Sequence, residues 1–272
     1  MQVPFWNKNR EVLIKKDASS DPSHGYQPEL RPIDDYLQYG IINLDKPSGP
    51  SSHEVVAWIK TILKMKHAGH GGTLDPKVTG VLPVALEEGT KAVGVLLLSR
   101  KEYVCVMHLH GDCQEGAIRK VIKEFEGELW QRPPLRSSVR RKVRVRRIYY
   151  IRDLEFEGRR VLFRVGCQSG TYIRKLVHDM GEALGPGAHM EELRRTRTGP
   201  FTEDRHFSTL YDFKDAYDKW QEEGDEKRLR RVVLPIEKAV EQLPKLSILD
   251  STVSSICHGA KHAVPGIAKL ES

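Results

Sequence analysis

Apolar residues recur along the chain with two different periods, and the switches between them mark its elements. Gly40-Ile41-Ile42-Asn43-Leu44 is an apolar run that stops at Asp45-Lys46-Pro47, which predicts a buried strand. Ser51-x-x-Glu54 is a capping box, and Val55, Val56, Ile59, Ile62 and Leu63 follow at helical spacing. The polar, glycine-rich stretch 67–72 then leads into Thr73-Leu74-Asp75-Pro76, where the proline confines Asp75 to extended backbone. Residues 81–86 predict a buried strand, and 103–110 a strand alternating Val104/Val106 with Tyr103/Cys105. Ile118, Val121, Ile122 and Phe125 form a short helical stripe. Strands are predicted over 143–151 and 161–167. A loop at Gln168-Ser169-Gly170 opens a helix with core face Ile173, Leu176, Val177, Met180 and Leu184, stopped by Gly185-Pro186.

Strands and helices alternate without a βαβ rhythm, so the fold class is α+β, with a central, mostly antiparallel sheet flanked by helices. Residues 1–35 are polar, with a loop-like stretch at 17–25, and read as an extension. No internal repeat is present.

Composition sharpens this reading. The chain has 272 residues, 39% hydrophobic and 30% charged, enough for a packed core. The longest apolar run, 92–98, falls far short of a membrane span, and the N-terminus has no apolar signal region, so a cytoplasmic protein with no membrane partner is expected. Four cysteines without a C-x-x-C pair are expected to be reduced thiols. His108-x-His110 puts two imidazoles on one side of a strand with no carboxylate or cysteine at ligand spacing, so no metal is expected.

The formal charge of +7 is concentrated. Arg132 to Arg147 carries eight Lys/Arg and no acid, and without it 36 basic residues face 37 acidic ones. Clustered charge of one sign gathers a polyanion. Between Lys142 and Arg146 basic and apolar residues alternate, so as a strand this segment turns one basic face outward. Arg132, Arg136, Arg140, Arg141, Lys142 and Arg144 are the expected contacts to a nucleic-acid backbone. The cluster 227–231 follows the acidic 222–226 and reads as a balanced, solvated face.

Five stretches occur in order: Gly40-Ile-Ile-Asn-Leu-Asp-Lys-Pro-Ser-Gly49, Gly69-His-Gly-Gly-Thr-Leu-Asp-Pro-Lys-Val-Thr-Gly80, Gln131-Arg-Pro-Pro-Leu-Arg136, Ser169-Gly-Thr-Tyr-Ile-Arg174 and Leu193-Arg-Arg-Thr-Arg-Thr-Gly199. Together they resemble the TruB/dyskerin family of RNA pseudouridine synthases over most of 36–245. The extension, Lys101-Glu-Tyr-Val104 and Gly259-Ala-Lys-His-Ala-Val-Pro-Gly266 are similar to its archaeal, dyskerin-type branch. The resemblance implies a pseudouridine synthase fold with a catalytic cleft, and isomerisation of uridine to pseudouridine. That reaction is redox-neutral and implies no cofactor; no phosphate-binding loop pattern is present either.

The chemistry breaks the N1–C1′ bond of a base taken out of its stack, and asks for one carboxylate near C1′. By resemblance that carboxylate is Asp75, which an isolated Leu-Asp-Pro would leave as a turn residue. Arg174 is implied to pair with it and favour its charged form. Tyr172 is implied to contact the flipped base and help remove the C5 proton, and Tyr103 to stack on the base. Leu193 would line the pocket, His70 would hold the flipped nucleotide, and Lys46, with Pro47, would shape the wall. The implied partners are transfer RNA (the TψC-loop uridine, position fifty-five), or ribosomal RNA directed by a box H/ACA guide RNA with the small accessory proteins of that particle. The family's catalytic domain is followed by an RNA-binding PUA domain, and 246–272 resemble only its beginning. Two other functions compete: a non-catalytic RNA-binding scaffold, against which the intact Asp75, Tyr103, Tyr172 and Arg174 argue, and glycosidic hydrolysis, which would want a second carboxylate.

Overall fold

The computed structural model describes residues 10–18, 21–133 and 142–271. The chain begins with β1 (Val12–Ile14) and α1 (Ile33–Gln38), then enters the body through β2 (Gly40–Lys46), α2 (Ser52–Leu63), β3 (Ala68–His70) and β4 (Thr79–Leu86). Next come α3 (Val93–Leu98), β5 (Lys101–Leu109), α4 (Glu115–Glu124), β6 (Gly127–Gln131), β7 (Arg144–Glu157) and β8 (Arg160–Cys167). The third part holds α5 (Ile173–Leu184), β9 (Ala188–Thr198), β10 (Phe201–Thr202), β11 (Phe207–Ser208), α6 (Leu210–Glu223), α7 (Glu226–Val232) and β12 (Val233–Pro235). It ends in β13 (Leu246–Ile248), α8 (Val253–Cys257) and β14 (Ile267–Glu271).

One mixed sheet organises the body in the order β11–β2–β4–β9–β5–β8–β7–β6, with β12 on β2, β3 on β4 and β10 on β9. Two pairs are parallel, β11–β2 and β4–β9; the others are antiparallel. This is the α+β arrangement expected from the sequence. Strands β2 and β4 are buried on both faces, which is why they read as continuous apolar runs rather than alternating ones. On one side, Val55 and Ile59 of α2 and Leu176 and Val177 of α5 share the main core with Cys105 and Met107. On the other, a smaller core gathers Ile41, Val81, Ala85, Leu96 and Phe201.

Local signals place the two helices nearest the site. Ser51 Oγ accepts from the Glu54 amide at 3.2 Å, and the Glu54 carboxylate accepts from the Ser51 amide at 2.7 Å, so α2 starts where its capping box says. Helix α5 buries Ile173, Leu176, Val177 and Met180 and stops at Gly185.

Elsewhere the structure extends the pattern. Strand β7 runs on to Glu157 because irregularities between 148/150 and 152/155 re-register it against β8. Strand β9 gives no apolar alternation, since charged residues occupy much of both faces; pairing with β4 and β5 forms it. Helix α6 was also unmarked by periodicity, although Thr209 and Asp212 cap it reciprocally. Strands β1, β14 and β13 make a separate three-stranded sheet that joins residues 12–14 to the C-terminal segment. In cluster 227–231, Arg228 pairs with Asp215 and Arg230 with Glu226, as a balanced face requires. The cysteines are free thiols.

Helix α5 crosses β9 so closely that a Cβ on Gly181 would lie 2.1 Å from the Ala188 amide nitrogen. Alanine in a helix is favoured over glycine by about 1 kcal/mol. Overpacking against backbone costs about 1–3 kcal/mol. Gly181→Ala is therefore expected to lower the unfolding midpoint in urea; a raised midpoint would show that α5 can move off β9.

Candidate active site

Asp75 sits on the segment between β3 and β4, and side chains from three other elements hold that segment's backbone. Ser52 Oγ, fully buried in the first turn of α2, donates to the Leu74 carbonyl at 3.1 Å and accepts from the Leu74 amide at 2.9 Å. Lys46 Nζ, at the end of β2, donates to the carbonyls of Pro47, Pro76 and Val78 at 2.8–3.0 Å. Arg195, on β9, donates from Nε to the Val81 carbonyl at 2.7 Å and from Nη2 to the Gly72 carbonyl at 3.0 Å. A fourth group, Lys101 Nζ, gives its three protons to the carbonyls of Leu96, Leu97 and Ser99, closing the end of α3 beside Gly72. Lys46, Lys101 and Arg195 are all buried, and no ion pair with a carboxylate is present for any of them among the described residues. Burial and the neighbouring Arg195 push the Lys101 ammonium down to about 7, and burial also lowers Lys46.

Against this held segment stands the start of α5. Tyr172 is its N-cap residue, and buried Gln131 grips the Tyr172 peptide from both sides: its Oε1 accepts from the Tyr172 amide at 3.0 Å and its Nε2 donates to the Tyr172 carbonyl at 3.3 Å. Two residues on, Arg174 reaches across and forms an ion pair with Asp75. Both side chains keep about half their surface, 52% and 53%, so the pair is open to a ligand.

The pocket floor comes from the sheet. Tyr103 on β5 is buried and lies directly opposite Arg195 on β9, and Leu193, half-buried, lies opposite Cys105. Tyr103 and Arg195 interact through their side chains. His70 ends β3; its Nδ1 accepts from the Gly72 amide at 3.4 Å, leaving Nε2 to donate. Burial lowers the pKa of His70, and His53, edge-on at 5.1 Å, and Arg195 add to that.

The structure brings Asp75 and Arg174 together; Tyr103 and His70 connect to the Asp75 segment through Arg195 and the Gly72 amide, and Tyr172 precedes Arg174 by two residues. Lys46 is placed differently from a ligand-contacting residue: fully buried and saturated by carbonyls, it acts on the wall through the backbone it holds. Of the basic segment, Arg132 and Lys142 are exposed and Arg144 is half-buried, whereas Arg136, Arg140 and Arg141 lie outside the described residues. Arg144 and Arg146 share one face of β7, opposite Gln131 and Leu129 of β6, and the Arg146 guanidinium lies against Gly170, two residues before Tyr172. Val145, between them, is exposed on the other face. Ser52, His53, Gln131 and Arg195 were given no role from the sequence. Gln131 and Arg195 stand inside quoted motifs, so the motif boundaries were the available signal. The His108–His110 pair meets His189 and Glu191 from β9, and no group of three or more His, Cys, Asp or Glu able to hold a metal occurs among the described residues.

The chain superposes on a solved Cbf5–Nop10–Gar1 complex with a TM-score of 0.94 and 60% identity, over 100% of this chain and 83% of that one. A solved H/ACA RNP bound to a substrate RNA containing 2′-deoxyuridine gives a TM-score of 0.93 at 57% identity, over 100% and 83%. Family models match as follows: the TruB family pseudouridylate synthase N-terminal domain at 60–116, the tRNA pseudouridylate synthase B C-terminal domain at 174–241, the DKCLD domain at 2–56 and the Pus10 C-terminal region at 94–185. Relatives described as probable tRNA pseudouridine synthase B include one from Methanopyrus kandleri, 60% identical over 99% of this chain and 79% of its own length. Another, from Pyrococcus furiosus, is 61% identical over 97% and 78%. The chain belongs to the TruB family of pseudouridine synthases, with archaeal Cbf5/dyskerin-like homologues, and is an isomerase by that membership.

Ser52→Ala would leave the Leu74 amide buried without a partner, at about 1–3 kcal/mol. Hydrogen exchange over 72–78 is expected to speed up in this variant while α5 keeps its protection; unchanged exchange would mean the segment holds its shape without Ser52.

Proposed function

We propose that the protein isomerises uridine to pseudouridine in RNA with Asp75 as the catalytic carboxylate. The observation that carries this is the solvent-open ion pair of Asp75 with Arg174, on a backbone segment that buried donors hold. A nucleotide flipped out of its stack would enter between the Asp75 segment and α5. Tyr103 and Leu193 would take the base, Tyr172 would face its C5 edge, and His70 would donate from Nε2 to hold the nucleotide. Arg174 holds the carboxylate in place until C1′ arrives.

The RNA backbone would run along the face of β7 that carries Arg144 and Arg146, with Lys142 just before the strand; Arg132, Arg136, Arg140 and Arg141 are the further proposed backbone contacts. The contact of Arg146 with Gly170 supports this path. The proposed substrates are the TψC-loop uridine of transfer RNA and uridines of ribosomal RNA selected by an H/ACA guide. The solved complexes with Nop10, Gar1 and H/ACA RNA support a guided particle with small accessory proteins. Residues 1–35 form the extension, 36–245 the catalytic body and 246–272 the start of a PUA-like domain; the pairing of β1 with β14 supports linking the first to the last. No helix among the described residues is long and apolar enough to cross a membrane, and a cytoplasmic enzyme without a cofactor is the proposed setting.

The test is tritium release from C5-labelled uridine in transfer-RNA and ribosomal-RNA transcripts, with protein alone and then with guide RNA and accessory proteins. Wild type should release tritium in at least one arm, and folded Asp75→Asn in none. Activity in the variant would remove Asp75 from the chemistry. Tight binding without release in every arm would make the chain an RNA scaffold.

The basic face makes a separate prediction. Replacing Lys142, Arg144 and Arg146 together with alanine should reduce the slope of log affinity against log salt by about 2, at ~0.7 per phosphate contact on single strands. An unchanged slope would place the RNA elsewhere.

A further inference from the structure

Among the described residues Arg195 is the largest side chain with almost no surface, 1% exposed, and its charge has no carboxylate partner. A buried guanidinium without a counter-ion is costly unless its donors are met. Its donors are met by the segment that carries Asp75. Nη2 holds the Gly72 carbonyl, where the segment leaves β3, and Nε holds the Val81 carbonyl, where it has joined β4. The backbone of Arg195 fixes the same exit: it pairs with Gly80, whose φ is +100°, so closely that a Cβ there would lie 2.2 Å from the Arg195 carbonyl oxygen. On its other side the guanidinium meets Tyr103, which faces it directly across β5 and β9.

We propose that Arg195 is a positioning residue that sets the catalytic carboxylate and the base-stacking ring relative to each other. This rests on the reading of Asp75 and Tyr103 given above. One planar, five-donor group bridges both ends of the Asp75 segment and the tyrosine, so neither can shift without the other. A lysine ammonium can join carbonyls that converge on one point, as Lys46 does, but lacks the fork by which Nε and Nη2 meet Val81 and Gly72 separately. The inference concerns the chemical step rather than RNA capture: Arg195 touches no solvent and can touch no RNA backbone, so its loss should appear in kcat.

The experiment uses Arg195→Lys in the preparation in which wild type releases tritium, beside Tyr103→Phe, the double variant and Asp75→Asn. Arg195→Lys should keep RNA affinity within about threefold and lose about 100-fold in kcat, the scale of a misplacement near one ångström. The double variant should be no slower than the slower single one, since both remove the same coupling. Faster hydrogen exchange over 72–81 in Arg195→Lys, absent from Asp75→Asn, would locate the change in the segment. Full kcat in folded Arg195→Lys, a loss confined to KM, or additive effects with Tyr103→Phe would each overturn the proposal. Retained activity in Asp75→Asn would instead overturn the reading on which it rests, leaving the exchange measurement to judge Arg195 by itself.

Discussion

The site depends on cations that spend their hydrogen bonds on backbone carbonyls instead of carboxylates. Lys46 holds Pro76 and Val78, Arg195 holds Gly72 and Val81, and Asp75 rides between these anchors. A carboxylate would neutralise such a cation and leave the segment free. A carbonyl is a weaker acceptor, but it is part of the chain that must be held. Moving the segment would strand a buried charge, and breaking the partner set of a buried ion costs about 3–5 kcal/mol. The penalty for a wrong backbone conformation is therefore electrostatic, and much steeper than loop packing alone would set. Asp75 itself stays half-exposed and gains its place from neighbours that are not.

Topology makes this possible. The Asp75 segment, Tyr103 and Arg195 are far apart in sequence, and β9 is the strand that brings them together by pairing with β4 on one edge and β5 on the other. Gly80 and Tyr103 are both partners of Arg195 in those ladders. Side chains alternate with period two, so a slip of one residue in β9 would turn Arg195 to the outer face and put a neighbour where its guanidinium belongs. Parallel pairing of β4 with β9 thus constrains the Asp75 segment as well as the fold.

Legibility in the sequence followed physical origin. Strand β2 and helices α2 and α5 were readable because burial imposes an apolar pattern and caps mark their ends. Strand β9 was not, because its inward positions include an arginine whose burial only the Asp75 segment explains. Asp75 and Arg174 were visible through motif order, whereas Ser52 and Gln131 carry no period and no charge. Their work is to complete hydrogen bonds on backbone that comes from elsewhere, and no local pattern records a partner 22 or 41 residues away. Lys46 shows the limit from the other side: the motif flagged it, and only geometry shows that its ammonium faces inward.

The positive charge of this chain consequently divides into two populations that obey different physics. Lys142 and Arg147 are exposed at the β6–β7 hairpin, with Arg144 and Arg146 half-buried, where salt screens charges over about 8 Å at physiological ionic strength. Lys46, Lys101 and Arg195 are sealed in the body, where mobile ions do not enter and interactions are several times stronger. The first population can govern capture of a polyanion and release it as salt rises. The second holds the geometry of the Asp75 segment whatever the ionic strength. Separating the two lets surface attraction vary with salt while the Asp75 segment keeps its geometry.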